Sequence, residues 1–218
     1  VNYDVLGLVI EVVSGQSYES FMTEQVFRPL GLYHTYVYKE DALATEQLAQ
    51  GYRSSFFITS PYDAPNYAGN KPAGYIMSCT KDMARWMNIQ MGVVQDIPEV
   101  FKAVIQKSHN GNISVPDVNG MYYAAGWLVN ADKTIIEHSG DNPNFSTEVL
   151  MLPSERTALC LLTNGANTNT ALVKSIKGIL DGNLTQSYKI SSTQLWDIIL
   201  SSATIIVSLL AIMFFILG

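Results

Sequence analysis

The most informative segment of this 218-residue chain is IIEHSGDNPNFSTEVLMLPSERTALCLLTN, residues 135–164. Together with Thr134, it contains three short apolar runs that are divided by residues typical of turns: TIIEH, FSTEVLMLP and TALCLLTN. Short runs with this spacing predict β-strands joined by tight connections. Together with MYYAAGWLVN, residues 121–130, they predict a four-stranded antiparallel meander.

Helical periodicity precedes and follows these strands. Apolar residues recur at helical spacing from Val5 to Val13, Gly15 is placed to end that helix, and Ser17 is placed to cap the next one. Further helices are predicted at TKDMARWMNIQMG (80–92), at 98–107 and at TNTALVKSIKGIL (168–180). Strands grouped after helices indicate the α+β class, with a helical region, the meander and a closing helix.

Residues 35–74 lack a clear period and are rich in aromatic residues, Pro and Gly. A loop of this length in a compact domain is usually functional or disordered. Its tyrosines and phenylalanines argue against disorder. We expect either the mouth of a substrate site or core packing for the aromatic residues between Tyr62 and Tyr75.

The C-terminal residues predict a transmembrane helix. Ile198 to Leu217 form twenty residues without a charge, which span about 30 Å as a helix. Trp196 stands at the edge, where an interfacial indole belongs. A buried core helix is the alternative, although such a helix rarely runs so long without a polar face. The sequence thus predicts a domain at 1–181, a linker at 182–194 and a membrane helix at 195–218, which is a single-pass anchor in this chain.

Charge and composition exclude several kinds of partner. The net charge is −6 and no basic patch is present that could neutralise phosphates, so we expect no nucleic-acid partner. The three histidines lie far apart without carboxylates at ligand spacing, so we expect no metal. No cofactor is expected either. Cys160, in the apolar run ALCLL, is predicted to be a buried thiol.

His138 allows two interpretations. It stands in EHSGDNPN, directly after a strand-like run and just before Asp, Asn and Pro. One interpretation is a tight hairpin, since turns of this composition need no chemistry. The other is a strand at the edge of an active site that holds a substrate.

Three segments, in the same order, carry a resemblance to a known family. They are NYDVLGLVIEVVSGQSYESFMTEQVFRPLGLYHT (2–35), KPAGYIMSCTKDMARWM (71–87) and EHSGDNPNFSTEVLMLPSERTALCLLTN (137–164). The first resembles the region after the Tyr-x-Asn motif of serine hydrolases in the penicillin-binding-protein and class C β-lactamase superfamily. The last resembles the third motif of that superfamily, which is Lys-Thr-Gly in many members and His-(Thr/Ser)-Gly in its esterase-like and peptidase-like branch.

The resemblance implies that His138, Ser139 and Gly140 belong to a catalytic strand. In the family this strand flanks the nucleophile, and its backbone gives an N–H to the oxyanion hole, where fixed donors stabilise the developing charge. By the same resemblance Gly140 admits a close backbone approach to the substrate. His138 and Ser139 donate hydrogen bonds to a substrate carboxylate or to the hydroxyls that relay protons.

The family's nucleophile is the serine of Ser-x-x-Lys, and no fitting copy occurs here. Ser78 and Lys81 have the spacing, in SCTK, but they match the start of a family helix, so a capping role is expected for Ser78. Tyr-x-Asn would end immediately before Val1, and Asn2 is therefore not its asparagine. The chain is interpreted as a fragment, and we expect no turnover from it alone.

Two hypotheses follow. The first is part of a membrane-anchored serine hydrolase that acts outside the cytoplasm on a peptide, amide or ester carbonyl, in a small-molecule or peptide substrate. The second is a non-catalytic, membrane-tethered binding module, or a gene remnant, from the same family.

Overall fold

A sheet forms where the sequence predicts the meander. In the computed structural model, which describes residues 2–65, 67–112, 114–115, 120–166, 170–183 and 192–217, its strand order follows the chain. The strands are β3 (Met121–Tyr123), β4 (Leu128–Asn130), β5 (Ile136–Asn142), β6 (Phe145–Leu152) and β7 (Thr157–Thr163). β3 pairs antiparallel with β4, and β4 with β5. The predicted α+β class and the meander are confirmed.

The meander has five strands where four were predicted. The run MYYAAGWLVN contains a reversal: Tyr123 lies opposite Leu128, and the Ala124 N–H donates to the Trp127 carbonyl at 2.7 Å. Gly126 has φ of 84°, which few other residues adopt easily. The apolar residues on both sides of this glycine hide the turn from a pattern-based assignment.

The helices before the sheet confirm the predicted periodicity. They are α1 (Asn2–Ser14), α2 (Tyr18–Phe21), a π-helical segment (Met22–Phe27), α3 (Arg28–Leu30), α4 (Lys39–Leu43), α5 (Lys71–Gly74), α6 (Thr80–Gln90) and α7 (Glu99–Ser108). Gly15, with φ of 67°, ends α1. The Ser17 hydroxyl accepts from the Ser20 N–H and so caps α2, as predicted.

The stretch from 35 to 74 is more regular than the predicted loop. Besides α4 and α5, it contains β1 (Tyr52–Ser55) and β2 (Ile58–Pro61), which pair antiparallel. The residues of the turn between them, Phe56 and Phe57, have φ of 50° and 62°. Such turns usually carry Asn or Gly, so two phenylalanines give no turn signal in the sequence.

The described chain divides into two compact units. The first consists of 1–49, 65–140 and 147–162, and the second of 50–64, 141–146 and 163–218. The first unit contains two apolar clusters. One lies among the helices (Tyr18, Phe27, Leu30, Leu32, Val37, Ile89, Ile97 and Ile105), and the other lies between α6 and the sheet (Met87, Ala124, Trp127, Val129, Ile136, Val149 and Met151). Trp86 of α6 packs against both clusters.

The second unit contains the β1–β2 hairpin and the last two helices, α8 (Thr170–Leu180) and α9 (Ser192–Leu217). Val173 of α8 is buried. In α9, the 23 residues from Leu195 to Leu217 are long and apolar enough to cross a membrane, and an 18-residue stretch among them has a mean hydropathy of 2.6. Only 6% of that stretch is buried in the protein, which is unlike a core helix.

Candidate active-site strand

His138, Ser139 and Gly140 lie in the middle of β5, in the first unit. Both side chains, the imidazole and the hydroxyl, are exposed, while Gly140 is half-buried. Successive side chains of a strand point to opposite faces, so His138 and Ser139 project from different sides of the sheet. The sequence placed these residues at the start of a turn or on a catalytic strand, and the structure places them within a strand.

The His138 ring lies edge-on to Trp127. Their ring centroids are 6.4 Å apart at an interplanar angle of 87°. Trp127 is buried, and partial burial lowers the pKa of the His138 imidazole below its ordinary value. Near neutral pH the ring is therefore mainly neutral, with one nitrogen able to donate and the other able to accept a hydrogen bond.

Gly140 has a neighbour that explains the absence of a side chain. A Cβ at this position would lie 2.7 Å from Thr147 Oγ1, which is shorter than real Cβ contacts. Thr147 belongs to β6, the next strand of the sheet. Close approach at Gly140 is thus required by the protein itself, whatever a substrate requires. Nothing in the sequence marks Thr147 as this neighbour.

Ser78 belongs to a polar cluster at the start of α6 and does not cap the helix. Its hydroxyl lies 2.9 Å from Thr35 Oγ1, and the Thr35 hydroxyl donates to Asp82 at 2.8 Å. The buried Asp82 carboxylate also accepts the His34 N–H at 2.7 Å. The capping role expected of Ser78 is wrong, because Cys79 is the N-cap and it makes no side-chain capping bond. The cluster fastens the turn at 34–35 to α6.

His109 is a second histidine that the sequence did not single out. It follows the last residue of α7, is buried, and its Nε2 lies 2.8 Å from Gln90 Oε1. Its ring also meets Trp127 edge-on at 6.0 Å. Burial, and then the nearby charge of Lys133, lower the pKa of His109. The polar sequence around it, SHNGN, gives no sign of this burial.

A cavity of about 290 Å³ lies beside α6 and α7. Its polar lining residues are Gln90, Gln95, Lys102, Gln106 and His109, and none of the β5 residues lines it. Among the described residues, no group of three His, Cys, Asp or Glu side chains is placed to hold a metal ion.

Comparisons with known proteins agree with the architecture. Residues 1–183 match the Beta-lactamase family. Protein flp of Staphylococcus aureus (strain MW2) is 31% identical over 166 residues, which are 75% of this chain and 32% of that protein. The unguisins hydrolase ungD' of Aspergillus campestris is 30% identical over 157 residues, 69% of this chain and 29% of that protein. The chain therefore spans about a third of the length of these curated relatives.

Solved structures show the same fold. The octameric penicillin-binding protein homologue from Pyrococcus abyssi has a TM-score of 0.70 at 23% identity, covering 83% of this chain and 41% of that chain. The class C beta lactamase from Rhodobacter sphaeroides has a TM-score of 0.69 at 18% identity, covering 84% and 59%. Because the family match covers most of the 218 residues and the fold agrees, the chain belongs to the Beta-lactamase family, whose members are serine hydrolases of the β-lactamase type.

Proposed function

We propose that this chain is the C-terminal part of a membrane-anchored serine hydrolase, and that β5 forms one wall of its acyl-transfer site. The observation that carries the proposal is the exposed placement of His138 and Ser139 on a strand, within residues that match the family. The alternative of a tight hairpin places His138 at a turn, whereas its imidazole is exposed in the middle of a strand. One relative, the unguisins hydrolase of Aspergillus campestris, is a hydrolase by name, which supports hydrolysis as the reaction class.

The β5 residues serve the reaction through binding and charge stabilisation. In acyl transfer a serine oxygen forms a bond to the substrate carbonyl carbon, and the carbonyl oxygen becomes negative until the leaving group departs. A backbone N–H beside Gly140 is a fixed donor for that oxygen, and such a donor lowers the barrier by about 3 kcal/mol. The neutral His138 ring binds a polar group of a peptide, amide or ester substrate, while Ser139, whose side chain projects to the other side of the sheet, contributes through its backbone beside Gly140.

The nucleophile and its base come from a part of the protein beyond these 218 residues. Support comes from the chain's short coverage of its relatives and from α1, whose apolar side chains Leu8, Val12 and Val13 are 58%, 76% and 81% exposed. A helix face of this kind needs a covering partner. The chain by itself has no turnover, since binding and oxyanion stabilisation alone leave only a small residual rate.

Membrane anchoring through α9 belongs to the same proposal. The exposed apolar segment from Leu195 to Leu217 supports it, because so large an apolar surface is stable in lipid and not in water. The predicted anchor at Ile198–Leu217 lies inside this segment. By analogy with the family, the catalytic part works outside the cytoplasm.

The experiment compares this chain with a longer protein translated from the reading frame upstream of Val1. Both are incubated with a fluorescent penicillin and with a fluorophosphonate, and covalent labelling is read on a denaturing gel. We expect label on the longer protein and none on the 218-residue chain.

The matched variants of the longer protein are Gly140→Val, which fills the β5 backbone site, and Lys174→Ala on the exposed side of α8. The first is expected to lose the label and the second to keep it. An upstream frame without Ser-x-x-Lys and Tyr-x-Asn, or a longer protein that carries both and takes no label, would favour the non-catalytic binding module or remnant.

A further inference from the structure

The β1–β2 hairpin presents its largest apolar side chains at its tip. Phe56 and Phe57 occupy the turn, and Ile58 follows as the first residue of β2. All three are exposed, by 59%, 55% and 67%. Both turn residues have positive φ, a conformation that is unfavourable for residues other than Gly, Asn or Asp. Neither local preference nor burial within the protein explains two phenylalanines here.

The tip is tied to the beginning of the candidate membrane helix. The Phe56 N–H donates to Asp197 Oδ1 at 3.0 Å, and the Phe57 N–H to Asp197 Oδ2 at 3.4 Å. The Ser201 hydroxyl donates to the same Oδ1 at 3.2 Å, and Ser201 is 2% exposed although most described side chains of this helix are exposed. Asp197 is the one acidic or basic residue of α9.

These bonds set the depth of the hairpin relative to the apolar segment. Asp197 lies two residues after Leu195, where that segment begins, so it is about 3 Å along the helix axis. The exposed Trp196 is at the same level and is the residue type that favours the membrane–water boundary. A carboxylate at this level is unfavourable in lipid unless its oxygens are hydrogen-bonded, and the two N–H groups of the turn supply such bonds.

We infer that the hairpin tip, Phe56 to Ile58, is a second membrane contact, and that its partner is the boundary between headgroups and acyl chains of the bilayer that holds α9. The inference rests on the proposed membrane anchoring. Apolar side chains that are held at the level of this boundary bury their surface in lipid, as those of interfacial amphipathic segments do. The membrane contact also explains why a strained turn is kept at this position. The turn directs two aromatic rings outward from a hairpin that is hydrogen-bonded to the helix.

The test measures depth at single spin labels on the full chain in phospholipid nanodiscs. Cys79→Ser and Cys160→Ala remove the native thiols, and single cysteines are introduced as Phe57→Cys, Ser60→Cys and Leu209→Cys. Ser60 is the matched control, since it is exposed on the same hairpin about 10 Å further along β2. Power-saturation EPR compares collisions with oxygen, which is enriched in lipid, against those with a water-soluble nickel complex.

We expect the label at 57 to collide more with oxygen, as the label at 209 does, and the label at 60 to collide more with nickel. Lipid exposure at 209 together with nickel exposure at 57 would overturn the hairpin contact and leave the anchor intact. Nickel exposure at 209 would overturn the anchor itself, and the hairpin contact with it.

A further variant, Asp197→Ala, tests the fastening of the tip. We expect the label at 57 to lose its lipid exposure and to become more mobile, while the label at 209 stays unchanged. An unchanged label at 57 in this variant would show that the bonds to Asp197 do not hold the tip at the membrane.

Discussion

Gly140→Ala tests the contact between β5 and β6. We expect this substitution to lower the free energy of unfolding in the native protein and to raise it when Thr147 is also replaced by alanine. The new methyl would lie 2.7 Å from Thr147 Oγ1, about 0.7 Å inside the 3.4 Å at which ordinary contact begins. Threonine is stiff at χ1, so the strands must shift, and overpacking of this kind costs about 1–3 kcal/mol. Gly140 is not in the left-handed region, so alanine can adopt its backbone conformation. Replacing glycine by alanine in a strand raises the free energy of unfolding by about 0.5–1 kcal/mol, because glycine loses more conformational entropy on folding.

The net effect is a loss of about 1 kcal/mol of unfolding free energy in the native background. In a Thr147→Ala background the hydroxyl oxygen is gone, and the remaining Thr147 Cβ, at 4.0 Å, is in ordinary contact. There Gly140→Ala is expected to stabilise the protein by about 0.5 kcal/mol. The coupling energy between the two sites is therefore about 1.5 kcal/mol.

The assay is urea unfolding of the full chain in detergent micelles, followed by the fluorescence of Trp127 and the other tryptophans, with all four members of the cycle. Ser154→Ala, on an exposed turn, controls for nonspecific effects of substitution. Equal destabilisation by Gly140→Ala in both backgrounds would refute the reasoning, since it would mean that Thr147 is not what requires a glycine at this position.

Three further predictions concern single groups. Asp82→Ala leaves two donors without their acceptor and is expected to lower the unfolding free energy by about 3 kcal/mol, against about 1 kcal/mol for Thr35→Val, both measured by urea unfolding. Because burial lowers the pKa of His138 in the folded state, the unfolded state binds more protons, so the free energy of unfolding falls as the pH drops through about 6.5, the ordinary value of a histidine. His138→Gln should reduce that fall, and an identical pH profile would contradict the assignment. Burial raises the pKa of the Cys160 thiol to about 11, so its alkylation by iodoacetamide at neutral pH, followed by mass spectrometry, should be much slower than that of a small free thiol and should recover on unfolding.

The sequence predicted the elements that carry a clear apolar pattern. The helices α1, α6 and α7 have apolar residues at helical spacing, and β5 to β7 are short apolar runs between turn residues, so the pattern alone predicted them, although most of α1 is exposed. The closing helix at 168–180 was predicted from helical spacing and the C-terminal helix from its length and its lack of charge, and the structure gives α8 and α9.

Turns without their usual residues escaped prediction. Phe56 and Phe57 adopt a conformation that most chains assign to Asn and Gly, so the β1–β2 hairpin looked like part of a long loop. The reversal at Gly126 was hidden by its apolar neighbours. The Phe56–Phe57 turn is held by Asp197, which is far away in the sequence, so the local sequence does not reveal that turn.

The sequence proposed the residues of the candidate site but did not reveal their surroundings. The motif picked out His138, Ser139 and Gly140, and the structure places them on one exposed strand. The contacts that shape them, Trp127 against the imidazole and Thr147 against the glycine, come from other strands or loops. A periodic sequence pattern does not reveal contacts between residues of different strands or loops. They can be identified only when the register of the sheet is known.

Trp86 has a consequence for how the first unit comes apart. One indole packs both against the cluster among the helices and against the cluster beneath the sheet. Unfolding of the sheet removes the contacts on one side of this ring, and it weakens the cluster among the helices at the same time. The two clusters therefore share one cooperative unfolding event, and a partly melted species that keeps only its helices is not a stable resting state.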